Sequence, residues 1–187
     1  TLIEEKNWYQ VLVFTSTKAQ ADQLMLALKA EKIAAALCHS DISPGARRRA
    51  LADFKEGKIQ VLIATEVAAR GLDIDGLEHV VNVNLPYLAE DYVHRIGRTG
   101  RAGKKGQAIS FVSREEERAL NNIERLIGAK VKRISMPGFE VTGRDQLMDK
   151  VAKAPAKQRS NKTSQTKIIR TKIKFNSYSC DHRIIWR

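Results

Sequence analysis

The 187 residues predict an α/β domain: a parallel β-sheet covered by helices on both faces, followed by a basic extension. Three observations carry this. Short β-branched runs alternate with stretches of helical periodicity. The runs are apolar at successive positions rather than alternate ones, which marks strands buried on both faces, as in a parallel sheet sandwiched between helices. From about Pro137 the periodicity stops, so residues 1–137 read as the domain and 138–187 as a flexible, basic extension.

The elements follow in order. "VLVF" (11–14) is the first strand. Thr17 followed by Gln20 has the capping-box spacing, and the helix it opens places Ala21, Leu24 and Leu28 on one face. "IAAALC" (33–38) is the second strand. Ser43 and Pro44 read as N-cap and first helical residue of the next helix, with Gly57 closing it. "VLIAT" (61–65) runs directly into a helical stretch. "HVVNVN" (79–84) and "AISFV" (108–112) are further strands, Ser113 with Glu116 caps the helix after them, and "VKRIS" (131–135) is a weaker sixth strand. Open α/β sheets bind ligands beyond the carboxyl ends of their strands. That rule points to residues 15–18, 39–47, 65–73, 85–87 and 97–106.

The formal charge of +12 implies an anionic partner, with nucleic acid the first candidate. Residues 138–187 hold 12 Lys and Arg against 4 Asp and Glu, so most of the excess sits in the extension. Cys38 and Cys180 form neither a disulfide framework nor a zinc-ligand pattern, which makes a reducing cytoplasm the expected compartment. No run approaches the roughly 18 apolar residues of a membrane span, and the first residues do not read as a signal peptide.

Two segments carry chemistry. In "ATEVAARGLDI" (64–74) a strand ends at Thr65 and the next residues are helical, so a hydroxyl and the first backbone N–H groups face outward together, a suitable cradle for a phosphate oxygen. Arg70 and Gly71 then set a charge beside bare backbone, and Asp73 offers an acceptor for a ribose hydroxyl. In "HRIGRTGRAGKKG" (94–106) arginines at 95, 98 and 101 alternate with glycines at 97, 100 and 103. Guanidiniums make strong charge-assisted bonds to phosphate, and glycine permits close approach of an anion to the backbone. Arginines aimed at a transferring phosphoryl group stabilise its developing charge.

Together, "VLVFTSTKAQAD", "HSDISPGARR", "VLIATEVAARGLDI" and "DYVHRIGRTGRAG" resemble, over about residues 9–137, the second RecA-like domain of DEAD-box ATP-dependent RNA helicases. The wording is most similar to the bacterial RhlE-type group, and the histidine opening "HRIGRTGR" favours the DEAD-box group over relatives with glutamine there. The resemblance implies a RecA-like sheet and a set of roles. Arg98 and Arg101 match arginine fingers on the ATP γ-phosphate. Asp73 matches the ribose carboxylate. His94 and Arg95 match residues that meet the partner domain. Arg47 and Thr65 match RNA-phosphate contacts, with Gly71 nearby and Thr17 and Lys18 as further candidates. Phe14 is either the aromatic that supports these arginines or an ordinary core residue, and His39 reads as a packed histidine at a strand end.

Three positions in the motifs depart from the family pattern. Pro44 stands where glutamine is common, Ser40 where glycine is usual and Glu66 where aspartate is usual. The sequence shows no G-x-x-x-x-G-K-[ST] loop and no D-E-A-D segment. The resemblance assigns these, and the Mg²⁺ they hold with ATP, to an N-terminal RecA-like domain of the same protein. The chain is thus expected to be the C-terminal half of the enzyme, monomeric and without ATP hydrolysis by itself. A non-catalytic RNA-binding or adaptor module and half of a DNA helicase are the alternatives.

Overall fold

The computed structural model describes Ile3, residues 8–70, 72–100 and 106–134, and the backbone of Cys180–Trp186. The strands are β1 (Val11–Thr15), β2 (Ala35–Cys38), β3 (Val61–Thr65), β4 (His79–Asn82), β5 (Gly106–Val112), β6 (Lys132–Ile134) and β7 (Cys180–Trp186). The helices are α1 (Lys18–Ala30), α2 (Pro44–Lys55), α3 (Glu66–Ala69), α4 (Ala89–Ile96) and α5 (Glu117–Ile127), the last preceded by a 3-10 turn at Arg114–Glu116. The sheet order is β2-β3-β1-β4-β5-β7-β6, with every pairing parallel. Five strands form the RecA-like sheet implied by the sequence. Beyond β5, the strand Cys180–Trp186 lies between β5 and β6, so the extension contributes one strand. The remainder of that extension falls outside the described residues. Among the described residues no helix is long and apolar enough to cross a membrane.

β1 shows why the runs are apolar throughout. Val11 and Val13 face a core with Ala21 and Leu28 of α1, whereas Leu12 and Phe14 face a second core with Phe54 of α2 and Ala68 and Ala69 of α3. α4 and α5 close a third core, where Tyr92 and Ile96 meet Leu120, Ile123 and Ala108 of β5. The capping signals hold. Thr17 accepts a bond from Gln20 N at 3.2 Å, and Ser43 from Ala46 N at 3.3 Å. Pro44 occupies the first turn of α2, so this departure leaves the helix intact. Glu116 caps Ser113 N at 2.9 Å and also accepts from Leu85 N at 2.9 Å, tying the turn before α4 to the start of α5.

The strand β5 begins at a glycine for a steric reason. A Cβ on Gly106 would lie 2.5 Å from Thr99 Cβ and 2.6 Å from Gly100 N, so the turn after α4 packs directly on the β5 backbone. Gly106→Ala is expected to destabilise the 187-residue chain by about 1–3 kcal/mol through overpacking. Gly45→Ala, in α2 with nothing near its Cβ position, is expected to be neutral or stabilising by up to about 1 kcal/mol. Urea unfolding checks both; equal effects at the two sites would contradict the packing described.

Candidate functional site

Arg95 organises the carboxyl edge of the sheet. It lies in the last turn of α4 and is 3% exposed. A guanidinium keeps its proton inside a protein, so burial obliges it to find partners. Its Nε donates to Glu66 Oε2 at 2.5 Å, and its Nη1 donates to Asn82 Oδ1 at 3.3 Å and to the Asn84 carbonyl at 3.0 Å. Its guanidinium carbon stands 5.0 Å from the centre of the Phe14 ring. Asn82 then donates to Ser110 Oγ at 3.0 Å. One side chain on α4 thereby joins the ends of β1, β3 and β4, and through Asn82 reaches β5. Phe14 meets both of its sequence readings, as a core residue and as the support of an arginine.

A second arginine lies alongside. Arg70 Nη2 donates to Asp91 Oδ1 at 2.8 Å, and its Nε lies 3.8 Å from Glu66 Oε1, which ties α3 to α4. The His94 side chain is 70% exposed, with Nδ1 3.9 Å from Asp91 Oδ1. These groups border an open cleft of about 470 Å³ that Arg98 also reaches. Arg98 follows the helix end. Its Nη1 donates to the Leu72 carbonyl at 3.3 Å and stands 3.5 Å from Asp75 Oδ1. Asp73 is open to solvent and takes a bond from Lys55 Nζ at 2.9 Å, and that bond holds its carboxyl below the usual carboxylate range.

The described RNA-contact candidates lie at the end of β3 and in the segments that follow β1 and β2. Thr65 is the N-cap of α3, and its hydroxyl makes no capping bond. Thr17 spends its side chain capping α1, and Lys18 Nζ pairs with Asp41 at 2.7 Å. Arg47 is half-buried in α2, with a buried Nε that has no hydrogen-bond partner. His39 is buried, as expected of a packed strand-end histidine, and stands 3.3 Å from Asp22. Arg101 and Gly71 lie outside the described residues.

Within this chain Arg95 is buried and its bonds are made along its own sheet edge. The glycines of "HRIGRTG" have local reasons. Gly97 caps α4, and Gly100 has φ +52°, a backbone region that favours glycine. The sequence reading also missed Asn82, Asp91 and Lys55 as partners. Asn82 carried a signal, a polar residue within the apolar run "HVVNVN". Asp91 and Lys55 carried none, because a solvated helix face is full of such residues.

The chain matches the helicase conserved C-terminal domain family over residues 1–103. It is 51% identical over 129 residues to the DEAD-box ATP-dependent RNA helicase CshA of Bacillus cereus, covering 69% of this chain and 25% of that protein. It is similar to a crystallised DEAD-box protein from Methanococcus jannaschii, with TM-score 0.66 and 44% identity over 71% of this chain and 36% of the other. It is also similar to the E. coli DEAD-box protein SrmB in a crystal with the regulator of ribonuclease activity RraA, with TM-score 0.69 and 32% identity over 76% of this chain and 86% of the other. The chain belongs to the helicase C-terminal domain family, in its DEAD-box branch. It spans about a quarter of the length of that CshA relative.

The Arg95 cluster makes a stability prediction. Arg95→Met leaves Glu66 and Asn82 without their main partner at a buried edge, and is expected to cost about 3 kcal/mol, the low end for a broken buried pair because Glu66 keeps 20% side-chain exposure. Adding Glu66→Gln is expected to return part of that loss. Chemical unfolding of the single and double variants measures both, and a single-variant cost below about 1 kcal/mol would rule out the anchoring role.

Proposed function

We propose that the chain is the second RecA-like half of an ATP-dependent RNA helicase. In this reading it closes with an N-terminal RecA-like domain of the same protein over ATP, Mg²⁺ and RNA, to separate short duplexes or remodel RNA–protein complexes. The observation that carries the reading is the packing of Arg98, just after α4, against the separate loop that bears Asp73. The partly exposed guanidinium donates to the carbonyl of Leu72, the residue before the exposed Asp73, and that loop follows the strand ending in Thr65.

The roles follow from position. Arg98, with Arg101, supplies charge to the γ-phosphate once the cleft closes. Asp73 accepts from the ribose. Mg²⁺ is held by the other domain. His94, on the exposed rim of the 470 Å³ cleft, meets that domain. Arg47 and Thr65, with the backbone at Gly71, take RNA phosphates, and Thr17 and Lys18 flank that path. Contacts to the phosphate backbone carry little sequence information, so binding is indifferent to base order. The resemblance to the RhlE-type group rests on motif wording, while the relative at 51% identity is named CshA. A reducing cytoplasmic setting and a monomeric state complete the reading, and the buried free thiol of Cys38 is consistent with the former.

In the two-domain protein, Arg98→Ala and Arg101→Ala are each expected to abolish most RNA-stimulated ATP turnover, since comparable fingers are worth about 10³–10⁵ in rate. Lysine is not expected to rescue either, because it lacks the planar fork. Arg47→Ala is expected to lower RNA affinity first, and turnover only through weaker RNA stimulation. Near-normal turnover in both finger variants would show that the two arginines are not fingers and that the loop is no more than a charged surface.

For the 187-residue chain, RNA binding is expected to weaken steeply with salt, with a slope of about 0.7 per phosphate neutralised on single strands. Deleting the whole extension would also remove β7, so the cleaner variant changes Lys153, Lys157, Lys162 and Lys167 to glutamine. It is expected to flatten the slope. An unchanged slope in salt titrations would assign the binding to the strand-end loops alone.

A further inference from the structure

Asp75 plays no part in the helicase reading, yet it touches the arginine on which that reading depends. The backbones that carry the two residues are fastened together. Leu77 N donates to the Arg98 carbonyl at 3.0 Å, and Gly100 N donates to the Leu77 carbonyl at 3.1 Å. Leu77 and Thr99 form a parallel bridge, and Gly76, at φ +74°, turns the chain between Asp75 and that bridge. With both backbones fixed, the guanidinium reaches back to the Leu72 carbonyl at 3.3 Å and to Asp75 Oδ1 at 3.5 Å. The Arg98 and Asp75 side chains are 28% and 29% exposed, so the pair is partly hydrated.

We propose that Asp75 is a latch that holds Arg98 within its own domain until a nucleoside triphosphate displaces it, and so sets the ATP concentration at which the enzyme works. The inference rests on the helicase reading. A phosphate that meets Arg98 also meets the carboxylate already on it, and like charges repel. A half-hydrated ion pair is weak, whereas phosphate offers several charge-assisted bonds to a planar fork, so the exchange runs toward phosphate. Because the backbones are fastened, the exchange needs only side-chain rotation. The latch competes with nucleotide for one guanidinium, so it lowers apparent affinity by the fraction of molecules in which Arg98 is free, and leaves the chemical step unchanged. Asp73 is engaged in the same way by Lys55, but that pair leaves the proposed finger free.

The test is Asp75→Asn in the two-domain protein, with ATP turnover measured at saturating RNA. KM for ATP is expected to fall about three- to fivefold, with kcat within about twofold of the parent. Asp75→Glu keeps the charge and is expected to keep KM within about twofold of the parent, so the fall belongs to the charge. In the 187-residue chain, solvent exchange of the Arg98 Nε–H in ¹⁵N NMR is expected to quicken with Asp75→Asn, and the dispersion of the same spectra reports folding. An unchanged or raised KM, a KM that falls equally with Asp75→Glu, or a kcat that falls with KM unchanged would overturn the latch; the last result would make Asp75 an orienting residue. Arg98→Ala separates the two levels. If it retains near-normal turnover, the finger role that the helicase reading gives Arg98 fails and takes the latch with it. If it abolishes turnover while Asp75→Asn alters neither KM nor exchange, the latch alone fails.

Discussion

A buried guanidinium is the constraint from which the rest of this edge follows. Arg95 cannot shed its charge, and removing it from water costs several kcal/mol before any partner is counted. The fold offsets that cost with a carboxylate from the start of α3, an amide from the end of β4, a backbone carbonyl two residues further on and the face of an aromatic from β1. Those four groups come from three segments far apart in sequence, so they converge only when the sheet has its native order. The pairing thus reports correct assembly of β3, β1 and β4 and fixes how α4 meets them. Glu66 fits this role. Its carboxylate bonds Arg95 and also approaches Arg70, so one residue serves the anchor and the neighbouring ion pair.

The same anchor explains the spacing of the arginines. After α4 the chain continues with three-residue bonds, Arg98 N to the Arg95 carbonyl at 3.2 Å and Thr99 N to the Ile96 carbonyl at 2.9 Å. One such turn separates an arginine used for structure from an arginine left at the surface. Residues that read alike in the sequence do different work because the sheet edge lies beside one and solvent beside the other. The glycines serve the turn, and Gly106 opposite lets that turn sit against β5. Close approach is indeed why glycine stands there, but the approaching group is the protein's own backbone and the side chain of Thr99.

Sequence reasoning recovered the elements whose signals are local. The strands at 11–15 and 61–65, the caps at Thr17, Ser43 and Ser113, and the helix after Thr65 all follow from periodicity and capping chemistry. The strand at 180–186 did not, because it is supported by pairing with β5 and β6, partners distant in sequence. The site was legible as a set of positively charged motifs at strand ends. Its wiring was not. Whether an arginine is buried depends on which carboxylate stands across from it, and neither Asp91 nor Lys55 differs in sequence from any solvated charge. The motif of Arg95 gives its chemistry, and only the fold gives its surroundings.

At this edge three of the described cations are already engaged at rest. Arg98 rests on Asp75 and Leu72, Arg70 on Asp91, and Lys55 on the carboxylate of Asp73. Half of a shared site has to satisfy its own charges while it waits, because an unpaired ion on a partly buried edge is costly. Closure on a ligand is then an exchange of partners, and its free energy is a difference between two satisfied states. Such a balance is small and easily biased, as an equilibrium meant to open and close in each cycle must be. The resting partners act on how often the closed state forms, and the anchored arginine acts on whether the edge exists. The two sets are separable because Arg95 is fixed by the core, while Arg98, one turn later, is tied at the backbone and free to turn at the side chain.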